Sequence, residues 1–400
     1  MKILKLEIDG ERLYEDERFS LDLYAADRVV QPRDGIAPLG VTRLGNTSIY
    51  LQNAIALSGV NASGKTTSLY LLKMACAYLL VPCEMRSDGH PSSASPARLE
   101  ESFVLKAIFW HEDRFYALEA DFEKTPAGSA APYVIRDEWL YRLKKTRPLK
   151  KDLATFDAFV SQSELLVHRN AKTGEPGALS DDAKTFLQDD MSIVSALVGR
   201  SAEQGLISEH LEERRYAPSV VNAFDASIES LEWDPAGEIY RFKFFGEPER
   251  QLGCDAAERL LSKGTLAGMN LVNHTIAILG SGGIMLVDDI ESGLSKPLAE
   301  MFLHLFLSPA INRNGAQLVF TTHYPEIIDA LPRKDDVYVL VRDESHKTEA
   351  IKYSDRVHRI ENKKSEVIRS NFIKGSVPSY PKVRNLMDYI LASTKRTTEE

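Results

Sequence analysis

Polar and apolar residues alternate over residues 1–8 and again over 19–23, a period of two that predicts antiparallel strands. Residues 49–58 form an apolar strand that runs into a glycine-bearing loop. Beyond it, Leu69, Leu72, Cys76 and Leu79 or Leu80 recur at helical spacing and predict a helix over 66–80 buried on one side. Residues 87–96 are small, polar and proline-bearing, the composition of a surface loop. Residues 103–121 read as two strands joined by a turn at Glu112 and Asp113, and 133–143 as a third, together a small antiparallel β subdomain. From 153 to 218 the pattern turns helical, with 181–197 the best amphipathic stretch, and 238–245 returns to strand. The apolar run 266–287, broken by Gly280, Ser281, Gly282 and Gly283, is a helix followed by a strand. Two more strands follow at 317–323 and 337–342, then less regular helices, and 394–400 should fray. There is no internal repeat and no sustained heptad pattern.

Composition narrows the class. Four hundred residues, 44% hydrophobic and 27% charged, suit a globular chain of one large or two to three smaller domains. A net charge of -9 excludes a surface that is basic all over but leaves room for a local basic groove. The one dense basic run, Arg142, Lys144, Lys145, Arg147, Lys150 and Lys151, reads first as a solvated face and second as a contact for DNA or an acidic protein. Cys76, Cys83 and Cys254 are too few and scattered for a disulfide framework or zinc cluster, which points to a reducing, cytoplasmic setting. The first ten residues have no basic stretch leading into an apolar run, and no segment reaches the ~18 apolar residues of a membrane helix, so no membrane partner is expected.

The candidate chemistry lies at the ends of the predicted strands. The loop Gly59-Val60-Asn61-Ala62-Ser63-Gly64-Lys65-Thr66 stands between a strand and a helix, the setting in which backbone N–H groups wrap a phosphate. Gly59 and Gly64 allow close backbone approach, and Asn61, Ala62, Ser63 and Thr67 complete the expected nucleotide contacts. Lys65 would reach the β- and γ-phosphates and Thr66 would offer its hydroxyl to Mg²⁺. The apolar strand before Asp288 and Asp289 supplies two acids, Asp288 for the metal and Asp289 to polarise an attacking water; alone, such a strand end is as readily structural. Ser262 and Gly264 precede the helix over 266–279, where Ser262 or Thr265 could equally be an ordinary N-cap. His323 closes the strand over 317–323, and in isolation would be read as structural.

In this order the motifs resemble those of ABC-type ATPases, and in particular the compact prokaryotic ATPases related to the OLD and SMC groups. Those read Ser-x-Gly-Thr, then Asp-Glu-Ile-Glu-Asn-Gly-Leu-His, then Thr-Thr-His; the counterparts here are residues 262–265, 288–295 and 321–323. The likeness weakens over 153–218 and returns faintly at 372–381. It implies an α/β fold, an ABC-type P-loop core with an antiparallel β subdomain and a helical insertion. It further implies a head-to-head ATP sandwich in which Ser262 and Gly264 of a second subunit reach the γ-phosphate, Ser292, Gly293 and Leu294 form the D-loop, and His323 senses the γ-phosphate. One departure matters: Asp289 stands where the family has glutamate, one C–C bond shorter, about 1.5 Å. A ~1 Å misplacement can cost on the order of a hundredfold in rate, so slow hydrolysis is expected, with Glu291 the alternative base.

The organisation expected is an N-terminal part of the ATPase core over 1–100, the antiparallel subdomain over 101–152, a helical insertion over 153–237, the C-terminal part of the core over 238–345 and an extension over 346–400. The function expected is an ATP- and Mg²⁺-dependent ATPase that self-assembles and regulates a partner effector, a nuclease, as in anti-phage systems such as PARIS. The alternative is an SMC-like DNA-repair or DNA-organising ATPase that binds DNA directly, disfavoured by the lack of coiled-coil arms. A transporter subunit is not suggested, and residues 362–365 lack the aspartate with which a GTPase reads guanine.

Overall fold

The computed structural model describes residues 1–31, 37–80, 98–125, 133–170, 192–194, 204–206, 216–292, 294–358 and 362–396. Two six-stranded sheets dominate it. The first contains β1 (Lys2–Glu11), β2 (Arg18–Asp22), β6 (Leu99–His111), β7 (Arg114–Lys124), β8 (Tyr133–Leu143) and β9 (Ser163–Asn170) in the order β2-β1-β6-β7-β8-β9, every pairing antiparallel. Alternation sets the register, Leu6 facing Leu21 and Ile8 facing Phe19. The β6–β7 hairpin turns at Glu112 and Asp113, both with positive φ (45° and 58°), the backbone that matches the twist of paired strands.

Because β6 pairs along most of β1, these strands continue the N-terminal sheet and do not form a subdomain apart. The segment read as helical from 153 onward also includes β9, which finds a partner in the edge of β8, with Leu140 opposite Val167. The amphipathic stretch 181–197 lies, except for 192–194, outside the described residues, as do the loop 87–96, Cys83 and Gly293.

The second sheet contains β5 (Ala54–Gly59), β10 (Gln204–Leu206), β14 (Ile284–Val287), β15 (Gln317–Thr322), β16 (Val337–Arg342) and β17 (Thr348–Lys352) in the order β10-β14-β15-β5-β16-β17; all pairings are parallel except β16–β17. The strand expected over 49–58 divides at Asn53. Residues before it, β4 (Tyr50–Gln52), pair with β3 (Val41–Arg43), and residues after it enter the parallel sheet. Asn53 holds this corner: its backbone N–H donates to Gly40 O (2.9 Å), and its side chain accepts from Thr42 (2.9 Å) and donates to Phe306 O (3.3 Å). A small antiparallel sheet, β11 (Ile228–Asp234), β12 (Ile239–Phe244) and β13 (Arg250–Leu252), has its own core together with helices introduced next.

Helix α1 (Lys65–Leu80) lies between the two main sheets. Its Leu71, Leu72, Met74 and Leu79 join one core with Leu105, Phe122 and Ile135 of the antiparallel sheet and with Ile55, Leu286 and Val319 of the parallel one. Burial on one side was expected; the helix is buried all round, which is why its apolar residues show no single stripe. On the other face of the parallel sheet, α4 (Lys296–Leu307) contributes Phe302, Leu303 and Phe306 to a second core. Helices α2 (Pro218–Phe224) and α3 (Lys263–Ser281) accompany the small sheet, and α5 (Tyr380–Arg396) keeps Val383, Leu386, Met387 and Ile390 exposed. Among the described residues, no helix is long and apolar enough to cross a membrane.

Candidate nucleotide site

Parallel strands deliver their C-terminal loops to one edge of a sheet, where open α/β sheets bind ligands. Here β5 ends at Gly59, β14 leads into Asp288 and Asp289, and β15 leads into His323. The loop after β5 leaves no room for a side chain at its first residue: a Cβ on Gly59 would stand 2.4 Å from Leu340 O and 2.5 Å from Ser63 Oγ. Gly64 has φ +104°, a conformation that suits glycine. Thr348 fastens the loop from outside, its hydroxyl donating to Ser63 O (3.0 Å), while Tyr14 and Ser68 hydrogen-bond each other (2.6 Å) beneath it. Asn61 and Ala62 face solvent, Ala62 with φ 61°, and Ser63 Oγ is buried without a protein partner.

Lys65 opens α1 and folds over the loop. Its Nζ donates to Gly59 O (2.9 Å) and Val60 O (3.1 Å) and lies 3.3 Å from His323 Nδ1. Burial lowers its pKa, and the nearby Asp289, Asp288 and Glu291 carboxylates oppose that shift. The other ring nitrogen of His323, Nε2, lies 3.3 Å from Asp289 Oδ1. An ammonium can only donate, so His323 Nδ1 faces Lys65 as an acceptor, and Nε2 is left toward Asp289.

The acids are held by one hydroxyl. Thr321 Oγ1 donates to Asp288 Oδ1 (2.5 Å), accepts from the Asp289 backbone N–H (2.7 Å) and lies 3.3 Å from Asp289 Oδ1. Thr66 Oγ1 donates to Asp288 Oδ2 (2.9 Å), which brings together the hydroxyl and carboxylate expected at a Mg²⁺. Hard oxygen donors of this kind, beside a loop that a Cβ would fill, suit Mg²⁺ with a nucleotide's phosphates. Glu291 is differently engaged: Oε1 accepts from the His323 backbone N–H (2.6 Å), and Oε2 is buried without a partner.

A cavity of about 450 Å³ over the loop is lined by Asn61, Ala62, Gly64, Lys65, Thr66, Thr67 and His323, and also by Arg98 and Arg342. Motif reading did not find these two arginines, or Thr321 and Thr348 as supports. Arg98 begins β6's approach and Arg342 ends β16; only long-range folding brings them to the loop. Ser262 and Gly264 do not line this cavity. Ser262 is exposed and caps α3, its Oγ accepting from Thr265 N (3.0 Å), so the N-cap reading of that residue holds within the single chain. Ser292 is exposed beyond the acids, its N–H donating to Asp289 O (2.6 Å).

The members of the basic run differ in their partners, Lys150 donating to the Ala26 and Asp27 carbonyls. Arg142 pairs with Glu164 (2.6 Å) and Lys145 with Asp152 (3.1 Å), whereas Lys144, Arg147 and Lys151 are exposed.

No protein-family model matches the chain, and no curated protein matches it. Among solved structures, the SMC head domain from Thermotoga maritima is similar at 13% identity and a TM-score of 0.39, over 88% of this chain and 99% of that one.

Proposed function

We propose that the chain is an ABC-type ATPase that binds ATP with Mg²⁺ at the glycine loop, closes against a second copy and hydrolyses slowly. Through that closure it would control a separate effector, a nuclease, in prokaryotic anti-phage defence. The observation that carries the ATPase reading is the meeting of Lys65, Thr66, Asp288, Asp289 and His323 at one sheet edge, although they come from three separate segments. Mg²⁺, when held by Thr66 and Asp288, supplies charge neutralisation for the phosphates. Lys65 adds a fixed cation. Asp289 orients the attacking water and accepts its proton, and His323, bridging Lys65 and Asp289, registers whether a γ-phosphate stands between them.

Self-assembly is supported by Ser262: it is exposed at a helix start and does not line its own chain's cavity, a position from which it could meet nucleotide on another copy. The effector and the defence role rest on the motif resemblance. The test is ATP binding and sedimentation of full-length Lys65→Ala and Asp289→Asn with Mg²⁺. Lys65→Ala should lose nucleotide, by on the order of a hundredfold in affinity. Asp289→Asn should bind it and accumulate a larger, ATP-bound species. Equal nucleotide affinity in the two variants sinks the proposal. Mass spectrometry of proteins co-purifying with Asp289→Asn then asks whether a nuclease is retained.

A further inference from the structure

A second built cavity stands at the opposite end of the parallel sheet from the glycine loop. It has a volume of about 540 Å³ and is lined by Arg28, Val29, Gln31, Arg43, Thr47, Ser48, Tyr50 and Lys150. Its cations come from three segments distant in sequence. Lys150 is half-buried and donates from Nζ to Ala26 O (3.1 Å) and to Asp27 O; burial, then the neighbouring Arg333, depresses its pKa against the pull of the Asp335 and Asp27 carboxylates. Arg43 is exposed, with Nε donating to Thr47 O (2.7 Å) and Nη2 to Asn46 Oδ1 (3.5 Å), and Arg28 is exposed. Hydroxyls of Ser48 and Tyr50 stand beside them. Among the described residues that line the cavity, none is a carboxylate.

The pocket is continuous with the basic run, since Ser48 Oγ lies 3.5 Å from Pro148 O. Lys144, Arg147 and Lys151, exposed and without a carboxylate partner among the described residues, extend the positive surface outward. The location is fixed by Arg333. It donates to Asp27 O (3.0 Å) and Asp335 Oδ2 (2.7 Å), just before β16 begins, and β16 runs about 20 Å to Arg342 in the nucleotide cavity.

We propose that this pocket and the exposed cations beside it bind the phosphodiester backbone of a nucleic acid, the pocket seating one phosphate and Lys144, Arg147 and Lys151 meeting its neighbours along the strand. Nucleic acid is favoured over an acidic protein by the lining. Protein interfaces are depleted in lysine and need an apolar centre, whereas Val29 is the one aliphatic side chain among the described residues that line the pocket, and the exposed Leu149 stands beside cations. With a net charge of -9 the chain as a whole repels polyanions, so a landing place has to be a local basic surface such as this one. The inference does not depend on nucleotide binding at the glycine loop.

The experiment is fluorescence anisotropy of the full-length protein with a labelled 30-base-pair duplex of random sequence across 50–200 mM salt, as roughly the range in which counterion release is read. The charge reversals Arg28→Glu, Lys144→Glu, Arg147→Glu and Lys151→Glu, combined, fall on exposed residues. They should weaken binding roughly tenfold or more and reduce the log–log salt slope by about 3, while ATP binding stays at the wild-type level. Lys65→Ala should bind the duplex as wild type does, which separates this site from the nucleotide site. No measurable duplex binding at the lowest salt, or binding indifferent to the four reversals, overturns the proposal. So does polyglutamate that binds as tightly as DNA with the same sensitivity, which would make the surface one for acidic protein.

Discussion

The two ends of the parallel sheet hold the same kinds of side chain in opposite conditions. At the C-terminal end, Asp288 is exposed and Asp289 and Glu291 are half-buried, all three acting on Lys65, and Glu291 Oε2 and Ser63 Oγ lack protein partners. At the N-terminal end, Asp335 and Asp336 are completely buried, clamped by Arg333, with Gln52 donating to Asp336 Oδ1 (3.0 Å). At the open end Asp288 and Asp289 share the Thr321 hydroxyl, Asp288 also accepts from Thr66, and Glu291 accepts from the His323 backbone N–H. The enclosed acids are fixed by a guanidinium and an amide that cannot leave. Unpartnered polar atoms occur at both ends, Asp335 Oδ1, Asp336 Oδ2 and Arg333 Nε among them, so the difference lies in access: Asp288 is exposed, whereas Asp335 and Asp336 are sealed inside the protein.

The largest expected effect breaks the enclosed end. Arg333→Met leaves two buried carboxyls without their cation and should cost about 3–5 kcal/mol in urea unfolding, with ATP affinity per folded molecule unchanged. A loss below about 1 kcal/mol would mean the clamp is not what holds those acids. Next, Thr321→Val removes the hydroxyl that aligns Asp288 and Asp289. Turnover should fall on the order of a hundredfold, about 2.7 kcal/mol of barrier, with ATP affinity nearly retained and Thr321→Ser restoring most of the rate. A fall in affinity alone would instead make Thr321 a packing residue.

The third prediction uses Asp336, whose carboxyl is pushed up to about 8 by burial and then by repulsion from Asp335. In the unfolded chain it ionises near 3.8, so between that pH and about 8 the folded form holds the extra proton. Its contribution to stability is fully present below the unfolded value and is lost as pH rises through the folded one. Asp336→Asn, which keeps an acceptor for Gln52, should therefore gain on wild type as pH rises to about 8, by several degrees in melting temperature. Parallel pH curves for the two proteins would refute this. The smallest effect is at the open end: Asp289→Glu should raise steady-state turnover by roughly tenfold or less, and no increase would remove the link between the shorter acid and slow hydrolysis.

Much of the open end was readable in the sequence because its residues sit where apolar strands stop. The strand before Asp288, the one before His323 and the helix after Gly64 each follow from local periodicity, and β8 and β16 begin and end where alternation and β-branched content do. The rest depended on contacts between distant segments. Nothing local in residues 163–170 announces a strand until β8 offers an unpaired edge, and nothing at residues 49–58 marks the corner except the bonds Asn53 makes to Gly40, Thr42 and Phe306. The enclosed end was invisible for the same reason: Arg333, Asp335 and Asp336 look like loop polarity, and Gln52 like an incidental polar residue in a strand, until the fold closes over them. The basic run was legible as charge. Which of its members pair and which stay free required Glu164 and Asp152 to be brought alongside.

Asp289 also has φ 46°, in the left-handed region that aspartate and asparagine enter more readily than longer side chains. A glutamate there would extend toward the substrate only from a backbone it adopts less willingly, so the shorter acid and the turned peptide belong together. Converting this chain into a fast enzyme would require rebuilding the turn as well as lengthening the side chain. Under the proposed chemistry, the lifetime of a closed, nucleotide-bound complex would then be set by a torsion angle, and signalling duration would be inherited from local geometry.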